Sequence, residues 1–350
     1  AVEGEDDEYA LNQLKTWLLP KTDGFFQAPS GHRLHVRTVL PPGDALAMGV
    51  KAVVFYCHGM NSHVNGRNWG AGLFPRIAAD GFAVFALDIH GHGYSEGTRA
   101  LVEDWDTVFT DWEEFVKAVL GVADPMPSDQ EFRAGIPDEV LARVRNLPAF
   151  VMGTSMGGMI GMHLGLRMQQ DELLSGRLRG AVLCCPALTV DLPPKAVQVL
   201  LRNIVVPLCR RSQMPGCVSS SSKVKLSWAY DLSDPTQRQM AEMEIRDCSA
   251  RFPGEALGWH QGMRWGTAGA FSELFSSIEE SMEEVEYPLL LVHDPGDKIC
   301  FIAGSKRLME LSASEDKTLQ EVQAGGLHTV PMAMQEEFVV SATAWMRRRV

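Results

Sequence analysis

The stretch Ala149-Phe150-Val151-Met152-Gly153-Thr154-Ser155-Met156-Gly157 decides the fold of this 350-residue chain. Four apolar residues that read as a buried strand lead into a G-x-S-x-G pattern. This pattern is typical of a strand that is joined to a helix by a tight turn, in which the serine is exposed in a strained conformation. The two glycines are needed because a Cβ on either of them would overlap the strand or the helix. The stretch therefore predicts a nucleophile elbow with Ser155 at its tip. Since so short a pattern also arises by chance, its context carries the argument.

The elbow predicts an acid and then a histidine, both C-terminal to the serine. The apolar run 288–293 reads as a buried strand and leads into Asp294-Pro295-Gly296-Asp297, a turn with two carboxylates. The alternating run 318–322 precedes the glycine-rich loop Gly325-Gly326-Leu327-His328. We therefore expect His328 to accept the Ser155 proton, while one of the carboxylates fixes the tautomer of the imidazole.

A third strand, 51–57, ends in the turn His58-Gly59-Met60. A strand-end His-Gly turn commonly presents a backbone N–H to a developing oxyanion, so the N–H groups of Met60 and Met156 are predicted to form the oxyanion hole. Substrate contacts are expected at this turn and after it, at His58, Gly59, Ser62 and Arg67. Plain exposure to solvent is an equal alternative for Arg67.

The remaining pattern predicts an α/β fold. Strand candidates are 24–28, 33–40, 51–57, 82–88, 148–153, 180–184, 288–293 and 318–322. An aromatic stripe at helical spacing over 105–119 predicts a helix packed on the sheet. Such alternation gives a mainly parallel, eight-stranded sheet with helices on both faces.

Two segments depart from this rhythm. Residues 122–145 read as a surface insertion with a short helix near 138–145, and 188–280 lacks a convincing buried strand. The second is predicted to be a helical cap, which divides the chain into 1–187, 188–280 and 281–350. Leu200 and Ile204 belong to an apolar stripe within the cap, which either packs inward or lines an acyl channel for substrate. The helix 195–206 that carries the stripe is also predicted to touch a micelle or bilayer.

Composition limits the partners and the compartment. A net charge of −12 argues against nucleic acid and against broad attraction to anionic lipid. Seven cysteines without a C-x-x-C pair favour reduced thiols in an intracellular setting. With no long apolar run and no signal-peptide pattern, we expect a cytoplasmic protein, with peripheral membrane contact at most. The sequence leaves open whether a targeting segment was removed before Ala1.

No cofactor or metal is expected. His90 and His92 lie in a glycine turn without an accompanying carboxylate or cysteine set, and no G-x-G-x-x-G sequence opens a helix after a strand. Hydrolases with an aspartate nucleophile would need Asp at position 155. No histidine has Asp five residues later, as membrane-lipid acyltransferases often do.

The chain also resembles α/β-hydrolases of the monoacylglycerol lipase and lysophospholipase group. The resemblance rests on His58-Gly59, Leu87-Asp88-Ile89-His90-Gly91-His92-Gly93-Tyr94-Ser95-Glu96-Gly97, Ser155-Met156-Gly157-Gly158, Gly296-Asp297-Lys298-Ile299-Cys300, Asp316-Lys317-Thr318-Leu319 and Gly326-Leu327-His328. It implies the α/β-hydrolase fold, the triad Ser155, Asp297 and His328, and a cap over 188–280. Thr154 replaces a histidine frequent in the group. In monoacylglycerol lipases, a glycine and an acidic residue soon after the oxyanion turn help to hold glycerol, whereas this chain has Asn61-Ser62-His63 there.

Together these features predict a serine hydrolase that cleaves an acyl ester of glycerol or a lysophospholipid through an acyl-enzyme. A general carboxylesterase, a thioesterase or an acyltransferase on the same triad is the first alternative. A non-catalytic ligand-binding protein of the same fold is the second, although such proteins usually lack a triad member and here all three positions are filled.

Overall fold

A computed structural model of the chain describes residues 21–43, 46, 49–122, 131–133, 135–189, 194–214, 223–250, 256–259 and 261–350. Parts of both predicted insertions fall outside these residues. The short helix predicted near 138–145 is present as Asp138–Val144.

One eight-stranded sheet organises the molecule. Its strands run in the order β1-β2-β4-β3-β5-β6-β7-β8, with β1 and β2 antiparallel and the pairs from β4 to β8 parallel. The prediction of a mainly parallel sheet of eight strands is confirmed. The bounds are β1 Lys21–Gln27, β2 Arg33–Val39, β3 Ala52–Cys57, β4 Phe82–Leu87, β5 Ala149–Thr154, β6 Leu178–Cys184, β7 Leu289–His293 and β8 Lys317–Glu321.

The central strands have continuous apolar sequences because both faces of the sheet are covered. Every residue of β3, β4 and β5 is buried. Along β3, Val53, Phe55 and Cys57 belong to one hydrophobic cluster, while Ala52, Val54 and Tyr56 belong to a second cluster on the other face. The sheet therefore separates two hydrophobic cores.

Helices cover these two faces and fill the long connection between β6 and β7. The α-helices are α1 Phe74–Ala79, α2 Trp105–Leu120, α3 Asp138–Val144, α4 Met156–Gln170, α5 Lys195–Leu200, α6 Val206–Cys209, α7 Lys223–Ala229, α8 Pro235–Ser249, α9 Trp265–Phe275, α10 Ile278–Glu283, α11 Ile302–Leu311, α12 Val330–Ala333 and α13 Gln335–Arg347. Two π-helical segments, Arg67–Leu73 and Leu201–Val205, and a 3₁₀ turn, Glu131–Arg133, complete the described helices.

The aromatic stripe forms the buried face of α2, as predicted. The Asp104 side chain caps the helix start by accepting bonds from the N–H groups of Asp106 and Thr107, each at 3.1 Å. Gly121, at φ 70°, ends the helix in the left-handed conformation that favours glycine. Trp112 and Phe115 are fully buried against the sheet.

The segment between β6 and β7, called the inserted segment below, is helical from α5 to α10 in its described parts, and α9 ties it to the core. The Thr267 hydroxyl donates to the Ala100 carbonyl at 2.8 Å and accepts from the Val102 N–H at 3.0 Å. Arg264 Nε donates to the Arg99 carbonyl at 2.6 Å. Across the described part of the chain, no helix is both long and apolar enough to cross a membrane.

Candidate active site

Ser155 lies at the tip of the turn between β5 and α4. Its backbone has φ 61° and ψ −125°, a region that costs a residue with a side chain on the order of 1–3 kcal/mol. A Cβ at Gly153 would overlap the Gly157 backbone, and a Cβ at Gly157 would overlap the Cys57 carbonyl group. The two flanking glycines therefore allow the strand and the helix to approach closely enough to hold this strained turn.

His328 and Asp297 come together from the loops after β8 and β7. The Nδ1 atom of His328 lies 2.7 Å from Oδ2 of Asp297, and both side chains are buried. Oδ1 of Asp297 accepts bonds from the N–H groups of Ile299 at 2.7 Å and Cys300 at 3.1 Å. Burial alone would raise the pKa of Asp297, but these bonds and those to His293 and His328 outweigh it and hold the pKa well below its ordinary value. Asp297 is therefore ionised beside His328.

Asp294, the other carboxylate of the turn, bonds backbone groups instead. One oxygen accepts from the Gly296 N–H at 2.7 Å, and the other from the N–H groups of Ala324 at 2.6 Å and Gly326 at 2.9 Å. Asp294 thus fastens the loop that carries His328, while Asp297 bonds the imidazole.

His58 fixes the peptide that joins Gly59 to Met60. Because the Ile89 N–H donates to Nε2 of His58 at 3.2 Å, the proton of the neutral ring is on Nδ1, which donates to the Gly59 carbonyl at 2.8 Å. The Ser62 N–H also bonds this carbonyl, at 3.3 Å. In a planar trans peptide the N–H points opposite to the C=O, so the Met60 N–H is directed away from His58. Burial lowers the pKa of His58, which keeps the ring neutral.

A buried ion pair supports the same loop from behind. Asp88 accepts bonds from the Val64 N–H at 2.7 Å, the Tyr94 N–H at 3.2 Å and His35 Nδ1 at 2.9 Å. Burial alone would lower the pKa of His35, but hydrogen bonds and charge from Asp23 and Asp88 raise it to about 9. The pKa of Asp88 is depressed in turn. His35 and Asp88 are therefore both charged at neutral pH.

Ser155 and His328 line the same cavity, which has a volume of about 810 Å³. Its volume is in the range of pockets that enclose small organic ligands. Met60 and Met156 line it too, and Met156 is the first residue of α4, where an N–H has no partner within the helix. Most of the remaining wall is apolar, with contributions from Val199, Leu201, Val206, Met214, Leu226, Met263, Trp265, Phe271, Phe275 and Ile299.

The structure brings the predicted substrate residues to different places. Gly59 lies directly against Ser155, since a Cβ there would be 3.5 Å from the Ser155 Cβ. His58 is buried behind the turn of Gly59 and Met60, and Ser62 is buried beside a small void. Arg67 lies beside Asp247, with its Nε 3.7 Å from Oδ1 of that carboxylate. Among these four, Gly59 is the one that adjoins Ser155.

Leu200 and Ile204 lie outside the cavity wall. Both are 52% exposed, because their face of the helix points to solvent. The wall is formed by neighbouring positions on the same helix, Val199, Leu201 and Val206. An acyl channel, if bounded by this helix, would use that second face.

Comparison of the sequence with known proteins identifies the family of the chain. A family profile described as "Serine aminopeptidase, S33" matches residues 49–332. The chain belongs to this family. The monoglyceride lipase of Homo sapiens is 27% identical over 290 residues, which is 82% of this chain and 78% of that protein. The caffeoylshikimate esterase of Arabidopsis thaliana is 24% identical over 318 residues, 89% of this chain and 80% of that protein.

A solved structure agrees with the fold. The crystal structure of a soluble variant of monoglyceride lipase from Saccharomyces cerevisiae, in complex with a substrate analog, superimposes with a TM-score of 0.66 at 16% identity. The match covers 96% of this chain and 97% of that one. This S33-family chain is therefore an enzyme of the α/β-hydrolase superfamily.

The S33-family site has one group of residues with metal-ligand chemistry among those that the structure describes. Cys185, Asp297 and His328 have their donor atoms within 4.8 Å of one another. Burial raises the pKa of the Cys185 thiol well above its ordinary value, whereas a metal binds the thiolate. Asp297 and His328 already bond each other. These three residues therefore suit a hydrogen-bonded Asp297–His328 pair beside a neutral thiol better than a metal centre.

Several polar residues of the cavity wall were not predicted from the sequence, and two of them bond each other. Glu244 lies on α8, and Tyr230, just after α7, donates a hydrogen bond from its hydroxyl to Oε2 of Glu244. No motif marks either position, since α8 reads as a polar surface helix. Cys300 also reaches the site, with its Sγ 3.9 Å from the Ser155 hydroxyl.

Proposed function

We propose that this enzyme is a serine hydrolase that cleaves the ester between a medium or long acyl chain and a small alcohol, as in a monoacylglycerol or a lysophospholipid. The observation that carries the proposal is the shared cavity, in which Ser155 and an Asp297-bonded His328 line one mainly apolar space of about 810 Å³. The similarity to monoglyceride lipases supports the substrate class.

The proposed mechanism begins with proton transfer from Ser155 to Nε2 of His328. The serine oxygen attacks the ester carbonyl, and the Met60 and Met156 N–H groups stabilise the oxyanion of the tetrahedral intermediate. Asp297 stabilises the imidazolium, which then protonates the departing alcohol. Water, activated by His328, releases the fatty acid from the acyl-enzyme. These steps need no metal or redox cofactor.

A lipid surface is the proposed source of substrate. Val197, Leu200, Ile204 and Leu208 follow one another at helical spacing across α5, the π-helical segment and α6, and all four are at least 40% exposed. Phe301, beside the Asp297 loop, is 53% exposed. An outward apolar face of this kind lies favourably at the boundary of headgroups and acyl chains. We therefore propose transient peripheral contact with membranes or micelles through this face.

The proposal is tested with 4-nitrophenyl esters of increasing chain length, together with monoacylglycerol, lysophosphatidylcholine and an aromatic-acid ester. Wild-type enzyme should prefer medium or long acyl chains and should react with a fluorophosphonate probe. Ser155→Ala should lose the labelling and about 10⁴–10⁶ of kcat while remaining folded. Undiminished labelling of the folded variant would refute the serine mechanism, and a preference for the aromatic-acid ester would refute the lipid substrate.

A further inference from the structure

A carboxylate is built into the wall of the catalytic cavity, although the proposed mechanism does not use it. Glu244 lines the cavity, and the hydroxyl of Tyr230 bonds its Oε2 atom. Tyr230 is 1% exposed and accepts a bond from Asn68 Nδ2 at 3.3 Å, while the same nitrogen donates to the Met240 carbonyl at 3.1 Å. Buried neighbours thus fix the position of the Glu244 carboxylate.

This carboxylate has hydrogen-bonding capacity for a ligand. An ionised carboxylate accepts about four hydrogen bonds, and the phenol of Tyr230 occupies one of these sites. Burial and the neighbouring charge of Asp247 raise the pKa of Glu244, against the lowering effects of Tyr230 and His328. A carboxylate held in such surroundings gains from any further donor that the cavity contents provide.

Glu244 lies on the side of the cavity where the alcohol half of an ester is expected. The His328 N–H donates to the Trp228 carbonyl at 2.8 Å, and the Thr329 hydroxyl donates to the Ala229 carbonyl. The two residues that precede Tyr230 are therefore bonded to the loop that carries His328, the proposed general base. Since this base protonates the departing alcohol, the alcohol half lies next to His328 and within reach of this wall.

We propose that Glu244, held by Tyr230, is a specificity-determining residue that accepts a hydrogen bond from a free hydroxyl on the alcohol half of the ester. This inference rests on the proposed ester hydrolysis and specifies its preferred substrates: esters of diols or polyols over esters of simple alkanols. A site with an acceptor discriminates against a substrate that lacks the matching donor, because the buried polar group is then left without its partner.

Two esters of nearly equal size test the inference. The esters are 2-hydroxyethyl decanoate and propyl decanoate. Their acyl chains are the same, and the terminal hydroxyl of the first takes the place of the terminal methyl group of the second. Wild-type enzyme should hydrolyse the hydroxyethyl ester with the higher kcat/KM. Glu244→Gln replaces the charged acceptor with a weaker, neutral amide oxygen, so it should lower kcat/KM for this ester by about tenfold and change it less than about threefold for the propyl ester.

Glu242→Gln is the matched control, because it removes the same charge from an exposed position of the same helix. It should leave the ratio between the two esters unchanged. Equal losses on both esters in Glu244→Gln, or an unchanged ratio, would overturn the inference. If Glu244→Gln does not fold, Glu244→Asp withdraws the acceptor while keeping the charge and should shift the ratio in the same direction. Failure of the wild type to hydrolyse either ester would instead refute the proposed function itself.

Discussion

The Nδ1 atom of His328 lies 2.7 Å from Oδ2 of Asp297. Asp297→Asn should lower kcat by about 10⁴, because an amide favours the wrong imidazole tautomer and does not stabilise the imidazolium. Asp294→Asn should change kcat less than about tenfold, since Asp294 bonds the backbone of the His328 loop, and should instead lower Tm. Steady-state rates on a soluble ester and thermal melts of both variants make the comparison. The reverse order of the two kcat losses would contradict the assignment.

His58 should affect turnover without binding substrate. His58→Phe removes the Nδ1–H bond to the Gly59 carbonyl, so that the peptide carrying the Met60 N–H keeps only the longer bond from the Ser62 N–H. We expect a loss in kcat of about 10²-fold, comparable to the loss of one oxyanion donor, with KM nearly unchanged. His58→Asn, whose amide nitrogen can replace Nδ1, should recover part of the rate. A rise in KM with constant kcat would indicate substrate contact instead.

The exposed apolar face of the inserted segment should matter for aggregated substrates. Replacing Leu200 and Ile204 with Asp removes burial at the lipid surface and should reduce vesicle binding and the hydrolysis of micellar long-chain esters by about tenfold or more. The rate on a soluble butyrate ester should be maintained. Val340→Asp, a change at another exposed apolar residue, is the control and should affect neither measurement. Equal losses on both substrates would mean that the face supports packing.

The His35–Asp88 pair should make stability depend on pH. The ordinary pKa of histidine is 6.5 and that of His35 in the fold is about 9, so its stabilising charge is fully present below pH 6.5 and is lost as the pH rises to about 9. The difference in unfolding free energy between wild type and His35→Gln should narrow by about 3 kcal/mol over this range. Urea titrations at several pH values measure it, and a constant difference would contradict a charged His35.

The sequence was sufficient for the sheet and for the loops at its carboxyl edge. Runs such as Ala52–Cys57 and Phe82–Leu87 are apolar throughout because they are buried on both faces, and this pattern is visible without a structure. The parallel arrangement then brings the loops of Ser155, Asp297 and His328 to one edge. The same pattern could not separate Asp294 from Asp297, since both lie in one turn and differ in which groups the folded loops bring near them.

The side chains of the inserted segment were beyond sequence reasoning for another reason. Helical periodicity identified the face of Leu200 and Ile204, but not whether that face packs inward or meets solvent, which depends on the elements around the helix. Glu244 shows the reverse case. Its half-buried side chain is bonded by Tyr230, which in turn accepts a bond from Asn68, a residue distant along the chain, whereas α8 alone reads as a solvated helix.

The bonds between the inserted segment and the His328 loop couple the movement of these two parts of the enzyme. The carbonyl groups of Trp228 and Ala229 accept bonds from the His328 N–H and the Thr329 hydroxyl. A displacement of the part of the inserted segment around Trp228 would therefore also displace the His328 imidazole. The helical stretch from Lys195 to Cys209 lines the cavity on one side and meets solvent on the other. We therefore expect a displacement of this stretch to widen the cavity without moving the imidazole, whereas a displacement of the part next to His328 would move both.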